Sequence, residues 1–174
     1  MKISFEGQTI AKSKITGIGC YALNIIKNVL ELDHNNTYNI NVFDFLGRNN
    51  STKTIKKVLG RKDIDISRCA LLPYGMFTRF HSIFGKVPYN FYFNDRSDIF
   101  HFFNFILPEK VRGKTITTVH DMVYMLYPET MSNVNHDILR KNLARSCREA
   151  DVIVTVSQNR VPSRFFRNFI LTVW

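Results

Sequence analysis

The sequence predicts an α/β domain in which a parallel β-sheet is flanked by helices. Short runs rich in β-branched and aromatic residues alternate with longer segments whose apolar residues recur at helical spacing. Several of the runs are apolar almost throughout, which is typical of strands buried on both faces of a sheet. The chain has 174 residues, of which 45% are hydrophobic and 22% charged, so it can bury one core of ordinary size.

The first part of the chain contains two predicted strands with a helix between them. The strands are Lys2–Phe5 and Tyr38–Phe43. The helix begins at Gly17 and ends before Asp33. Its apolar face consists of Ala22, Ile25, Ile26, Val29 and Leu30. This spacing places one stripe of the helix against the sheet. A short basic helix follows over residues 52–59.

The middle of the chain is less regular and leaves two interpretations open. Residues 63–72 are ambiguous between a loop and a third strand, and residues 75–84 have helical spacing. From Phe77 to Phe93, aromatic residues alternate with cations such as Arg79 and Lys86. This stretch is either a surface that contacts a membrane or an acceptor molecule, or a set of aromatic residues packed in the core.

The last part of the predicted fold has the clearest elements. Asp98–Phe103, Thr115–Val119 and Asp151–Val156 are predicted strands, and Ser132–Glu149 is a predicted helix. Its apolar face consists of Val134, Ile138, Leu139, Leu143 and Cys147. Strands that alternate with helices in this way build a parallel sheet through crossover connections.

The chain is strongly basic and poor in cysteine. A formal net charge of +10 predicts attraction to anions such as nucleotide phosphates or an anionic membrane surface, although it also serves solubility. Nucleic-acid binding would rest on charge alone, because no recognised module accompanies it, so none is expected. The three cysteines lack metal-ligand spacing, and no secretion signal or membrane span is visible, which predicts a cytoplasmic protein.

Gly17-Ile18-Gly19-Cys20-Tyr21-Ala22 matches the pattern G-x-G-x-x-A of dinucleotide-binding loops. In that pattern the glycines follow the strand at once, whereas about ten residues intervene here. Asp44, near the end of the second strand, would then hold the ribose of NAD in an oxidoreductase. Two interpretations remain: glycines that let backbone N–H groups approach an anion at a helix N-terminus, or a flexible loop without a ligand.

His120 and Asp121 follow the predicted strand Thr115–Val119, where a parallel sheet has its ligand crevice. Three roles are open. His120 contacts a ligand hydroxyl or phosphate; it acts as a general base with Asp121 orienting the ring; or both residues cap the following turn. His101 and Asn104 flank the end of the preceding strand, and they either line the same crevice or lie outside it. Ser157, after the last strand, either caps a helix or binds phosphate.

Four motifs taken together resemble the N-terminal half of a family 4 glycosyltransferase of the GT-B type. Each motif is modest alone, but their order and spacing extend over residues 1–159. The motifs are Thr16–Gly19 with Tyr21, Asp98–His101 leading to Leu107-Pro108, Thr118–Asp121 with Pro128-Glu129, and Ala150–Ser157.

This resemblance implies a Rossmann-like parallel sheet with flanking helices that faces a second such domain across a cleft. Such enzymes build polysaccharides or lipid-linked glycans by retaining transfer from a sugar nucleotide, generally without a metal or other cofactor. Gly17, Ile18, Gly19 and Tyr21 would then lie near the donor diphosphate and the acceptor, and His120 would position the donor sugar. The expected partners are a nucleotide-sugar donor and a glycan or lipid-linked acceptor, with peripheral contact to the inner membrane face.

The chain departs from the family pattern in two ways. Residues 160–174 form a basic and then apolar tail instead of an amphipathic helix, which suggests a truncated or frameshifted coding sequence. The family's donor-binding domain has no counterpart in these residues, so the isolated chain is expected to be inactive unless a separate chain supplies that domain. A non-catalytic remnant that binds glycans or membrane surfaces is the alternative, ahead of an NAD-dependent oxidoreductase.

Overall fold

The computed structural model describes residues 1–61, 64–79, 86–121 and 123–156, together with the backbone of residues 169–172. Within this part of the chain, all strands join one parallel sheet in the order β3-β2-β1-β4-β5-β6-β7. The strands are β1 Lys2–Glu6, β2 Thr37–Phe43, β3 Asp65–Cys69, β4 Ile99–Phe102, β5 Lys114–Val119, β6 Val152–Thr155 and β7 Phe169–Thr172. The predicted fold class, an α/β Rossmann-like arrangement, is confirmed.

The helices cover both faces of the sheet. They are α1 Gly17–Leu32, α2 Ser51–Leu59, α3 Tyr74–Arg79, α4 Tyr89–Phe93, α5 Val123–Leu126 and α6 Asn133–Glu149, with single 3₁₀ turns at Phe45–Gly47 and Pro128–Thr130. α1 and α2 bury their apolar stripes on one face, in a core cluster centred on Ile26, Ile40 and Ile55. Helices α3, α4 and α6 pack on the other face, in a cluster that includes Phe43 and Phe100.

The predicted elements occur in the predicted order. α6 begins after Ser132, whose hydroxyl accepts the Asn135 N–H at 3.4 Å, and α1 ends at Asp33 as the sequence indicates. The ambiguous segment 63–72 contains β3. Of the helix predicted over residues 75–84, the described part is α3, and residues 80–85 lie outside the description.

The aromatic stretch is divided between core and surface. Phe77, Tyr89 and Phe93 are buried. Phe77 and Phe93 pack against Phe43, with the Phe77 ring centroid 4.7 Å from that of Phe43, and Tyr89 packs against both. Phe91, on the outer side of α4, is 77% exposed. Core packing therefore explains most of the described aromatic residues in this stretch, and Phe91 is available to a surface contact.

The tail contributes one strand. The backbone of β7 pairs in parallel with β6, opposite residues Val152–Thr155, and extends the sheet by one strand. The apolar half of the predicted tail thus contains β7, and its basic half, residues 160–168, lies outside the described residues.

Candidate functional site

The sheet has a crevice at the carboxyl ends of β1 and β4. From β1 the strand order runs to β2 and β3 on one side and to β4, β5, β6 and β7 on the other. Loops that leave two such strands diverge to opposite sides, and the gap between them is where open parallel sheets bind ligands. Glu6 ends β1, and Asn104 follows β4 by two residues.

Helix α1 begins beside this crevice, and its two glycines have different surroundings. The Thr16 hydroxyl caps the helix by accepting the Gly19 N–H at 3.4 Å. A Cβ atom on Gly19 would lie 2.6 Å from the Thr9 carbonyl oxygen, whereas one on Gly17 would meet nothing within 4 Å. Gly19 therefore allows α1 to pack against the loop after β1, and Gly17 leaves the start of the helix open.

His120 lies at the end of β5 and is held in one orientation. Its Nε2 lies 2.7 Å from the Phe103 carbonyl oxygen, which can only accept, so Nε2 carries the proton and Nδ1 is left as an acceptor. The ring packs edge-on against Tyr21 of α1 at 5.2 Å and against Phe105 at 5.4 Å. Burial lowers the pKa of His120, against opposing effects of the Phe103 carbonyl and Asp121. The ring is therefore neutral at pH 7.

Asp121 makes a capping contact. Its carboxylate accepts the Val123 N–H at 3.0 Å, at the start of α5. The Phe103 carbonyl, from the neighbouring strand, is the group that orients the His120 ring. Of the roles open from the sequence, capping is the one that this contact shows for Asp121.

His101 is buried inside the sheet, away from the crevice opening. It is 8% exposed, its ring centroid lies 4.1 Å from that of Phe103, and its Nε2 lies 2.9 Å from the Thr118 hydroxyl. Burial lowers its pKa from 6.5 to about 3. His101 therefore acts as a neutral part of the core beneath the site, on the α1 face of the sheet.

Asn104 lines a cavity of about 300 Å³ on the opposite face, between the crevice and helices α3, α4 and α6. Its aromatic wall consists of Phe43, Tyr74, Phe77, Tyr89, Phe102 and Phe105. The amides of Asn104, Asn135 and Asn142 supply most of the polar wall, and Ile18 of α1 closes one side. The cavity thus extends from Ile18 of α1 to the centre of the sheet. Phe105, which is part of its wall, also contacts the His120 ring.

Glu6 is the one acidic residue in the described lining of this cavity, and hydrogen bonds satisfy only one of its two carboxylate oxygens. Its Oε1 accepts the Gln8 N–H at 2.9 Å, whereas its Oε2 is buried without a hydrogen-bond partner among the described residues. Burial raises the pKa of Glu6 from 4.5 to about 7, although the Gln8 N–H and Lys12 lower it. The pKa values of Tyr74 and Tyr89 are also raised. Burial is the larger cause, and the charge of Glu6 is the second. The two phenols therefore face the same carboxyl group.

The structure brings together only some of the residues singled out from the sequence. Tyr21 meets His120, while Ile18 and Asn104 meet in the cavity. Ser157 lies outside the described residues. The sequence did not single out Glu6, although a lone acid at the carboxyl end of the central strand was a usable signal. Tyr74, Asn135 and Asn142 gave no signal, because only the packing of α3 and α6 brings them to the cavity.

Asp44 is engaged in a hydrogen-bonded turn within the fold. Asp44, considered for the ribose of NAD, is buried, and its carboxylate accepts the N–H groups of Asn49 and Ser51 at the start of α2. The described residues contain no cluster of three or more His, Cys, Asp or Glu side chains suited to a metal ion. No helix in the described part of the chain has both the length and the apolar character to cross a bilayer.

Comparison with known proteins identifies no relative: no family model, no curated protein and no solved structure matches the chain.

Proposed function

We propose that the chain is the acceptor-side domain of a retaining, sugar-nucleotide-dependent glycosyltransferase of the GT-B type. The contact between α1 and His120 is the observation that carries this proposal. The Tyr21 ring, in the first turns of α1, packs 5.2 Å from the His120 ring. The open start of the helix at Gly17 and the acceptor atom Nδ1 of His120 therefore lie on neighbouring elements at the carboxyl edge of the sheet.

This pair of elements suits the departure of a nucleoside diphosphate. The N–H groups of the first helical turn and the helix dipole favour negative charge, which develops on the diphosphate as the glycosyl bond breaks. His120 is neutral and offers Nδ1 as an acceptor, which suits a donor-sugar hydroxyl. The opposite wall of the cleft would come from a donor-binding domain, in a separate chain or elsewhere in the protein.

The test is a nucleotide titration of the purified chain, in which binding is detected through the NMR signals of the backbone and the histidine rings. We expect UDP or GDP to shift the signals of Gly17, Ile18 and His120 more than those of the rest of the chain. His120→Ala should weaken the shift at His120's neighbours, and exposed His34→Ala serves as the matched control. Since this proposal assigns the donor wall to another domain or chain, we expect no turnover of sugar nucleotides by residues 1–174 alone.

Three outcomes would contradict the proposal. One is turnover by the chain alone that His120→Ala leaves unchanged. A second is NAD binding in preference to UDP and GDP, which would favour an oxidoreductase. The third is binding to anionic vesicles through the exposed Phe91 ring with no nucleotide response, which would favour a non-catalytic surface-binding module.

A further inference from the structure

The cavity beside Glu6 has an unusual charge pattern for so basic a protein. The chain carries a formal net charge of +10, yet the described lining contains one acid and no lysine or arginine. Lys12, whose charge lowers the pKa of Glu6, is exposed on the loop before α1 and does not belong to the lining. The cavity is therefore a locally acidic position inside a cationic molecule.

The wall around the acid is aromatic. Six rings line the cavity, and Tyr74 and Tyr89 lie close enough to Glu6 for its charge to act on their phenols. Aromatic faces attract cations through the ring quadrupole, and more strongly when water is excluded. A carboxylate surrounded by such faces is complementary to an ammonium group on an apolar body, and it would repel a carboxylate or phosphate.

We propose that this cavity binds a small organic cation, an amine on an apolar body, whose ammonium group pairs with the carboxylate of Glu6 in the cavity lining. The Glu6 carboxylate has an unused acceptor, because its Oε2 has no hydrogen-bond partner among the described residues. The residue as a whole is 9% exposed. A volume of about 300 Å³ limits the ligand to a small molecule. This proposal does not depend on the glycosyl transfer proposed above.

A cation is favoured over a neutral hydroxyl compound by the energetics of Glu6. A buried carboxylate with one oxygen unpaired is costly, and burial accordingly raises the pKa of Glu6. A neutral hydroxyl would supply one hydrogen bond, whereas an ammonium group would also neutralise the charge and contact the rings. The ligand that gains most from this cavity therefore carries a positive charge.

The experiment compares three probes of similar shape by calorimetric titration at pH 8: 2-phenylethylamine, 2-phenylethanol and 3-phenylpropionate. We expect the amine to bind at least about tenfold more tightly than the alcohol, which corresponds to about 1.4 kcal/mol, and the anion not to bind. Equal binding of amine and alcohol, tighter binding of the anion, or no saturation by the amine in the millimolar range would overturn the proposal.

Glu6→Gln tests the role of the charge directly. The substitution keeps the shape of the side chain and removes the carboxylate, so we expect the preference for the amine over the alcohol to disappear. Glu129→Gln, an exposed substitution outside the cavity, should retain it. An unchanged preference in folded Glu6→Gln would overturn the proposal.

A pH series on the unmodified chain supplies a second test that needs no variant. Only ionised Glu6 pairs with the amine, and a pKa of about 7 leaves it mostly protonated at pH 6 and mostly ionised at pH 8. Amine binding should therefore be about tenfold weaker at pH 6, in proportion to the ionised fraction. Lys12, Tyr74 and Tyr89 also face Glu6, and the raised pKa of both tyrosines keeps them neutral over this range. Amine binding that does not change with pH would count against the proposal.

Discussion

At the scale of single residues, burial separates two histidines on neighbouring strands, His101 within β4 and His120 directly after β5. His120 is half-buried, with Nε2 on the Phe103 carbonyl and Nδ1 left as an acceptor. His101 lies between Phe5 and Phe103, with Nε2 on the Thr118 hydroxyl. The same residue type thus faces the crevice in one case and belongs to the core in the other.

Burial of His101 should make the protein sensitive to acid. Its pKa falls from 6.5 to about 3 in the folded state, so between these pH values His101 is protonated in the unfolded chain and neutral in the folded chain. Stability is then fully present above pH 6.5 and is lost as the pH falls towards 3, at up to about 1.4 kcal/mol per pH unit. In urea unfolding between pH 6.5 and 4, His101→Gln should lose stability less steeply than the unmodified chain.

A matched control separates this effect from general acid denaturation. His34→Gln removes a histidine that is exposed at the end of α1, and it should follow the curve of the unmodified chain. If His101→Gln showed the same slope as His34→Gln, the burial of a neutral His101 would not be the source of the acid sensitivity.

At the scale of elements, the start of α1 depends on one glycine of the pair. A methyl group on Gly19 would lie 2.6 Å from the Thr9 oxygen, so Gly19→Ala must displace backbone and should cost about 1–3 kcal/mol. Gly17→Ala meets no atom within 4 Å and should be neutral or stabilise by up to about 1 kcal/mol. Chemical denaturation of both variants measures the difference. Equal effects would contradict the close packing of α1 on the loop.

The elements themselves were largely predictable, because their patterns are local. The buried strands have runs of apolar residues, and α1 and α6 have a single apolar stripe and a capping side chain at Thr16 or Ser132. β3 was ambiguous because Asp65–Cys69 includes several polar residues. α4 was not predicted, because its five residues are too few to show a helical period.

The site was less predictable, because contacts across the sheet create it. The sequence predicted that His120 follows a strand, and His120 does follow β5, but the split between His101 and Asn104 depends on which face of the sheet each side chain takes. Asn104 reaches the cavity, and His101 points to the α1 side. Glu6 shares a cavity lining with aromatic residues of α3 and α4 only because those helices pack at the end of β1.

At the scale of the whole molecule, a buried polar network joins the two halves of the sheet beneath the cavity. Asp95, which is 2% exposed, accepts hydrogen bonds from Ser4 of β1, from Asn39 and Asn41 of β2, and from Ser97 before β4. Burial raises the pKa of Asp95, but these hydrogen bonds and Lys2 outweigh it and hold the pKa below 3.8. The carboxylate therefore stays ionised and fully paired at the strand reversal.

Removing this carboxylate should destabilise the whole domain. Asp95→Ala leaves several buried donors without an acceptor, and each unpaired donor costs about 1–3 kcal/mol, so we expect a loss of at least about 3 kcal/mol. Ser67→Ala removes the peripheral hydrogen bond that the Ser67 hydroxyl donates to Oδ1 of Asn39, 3.1 Å long, and should cost about 1 kcal/mol or less. Urea unfolding at pH 7 compares the two variants. Similar small losses would mean that water replaces the carboxylate, and that the aromatic core alone holds the two halves of the sheet together.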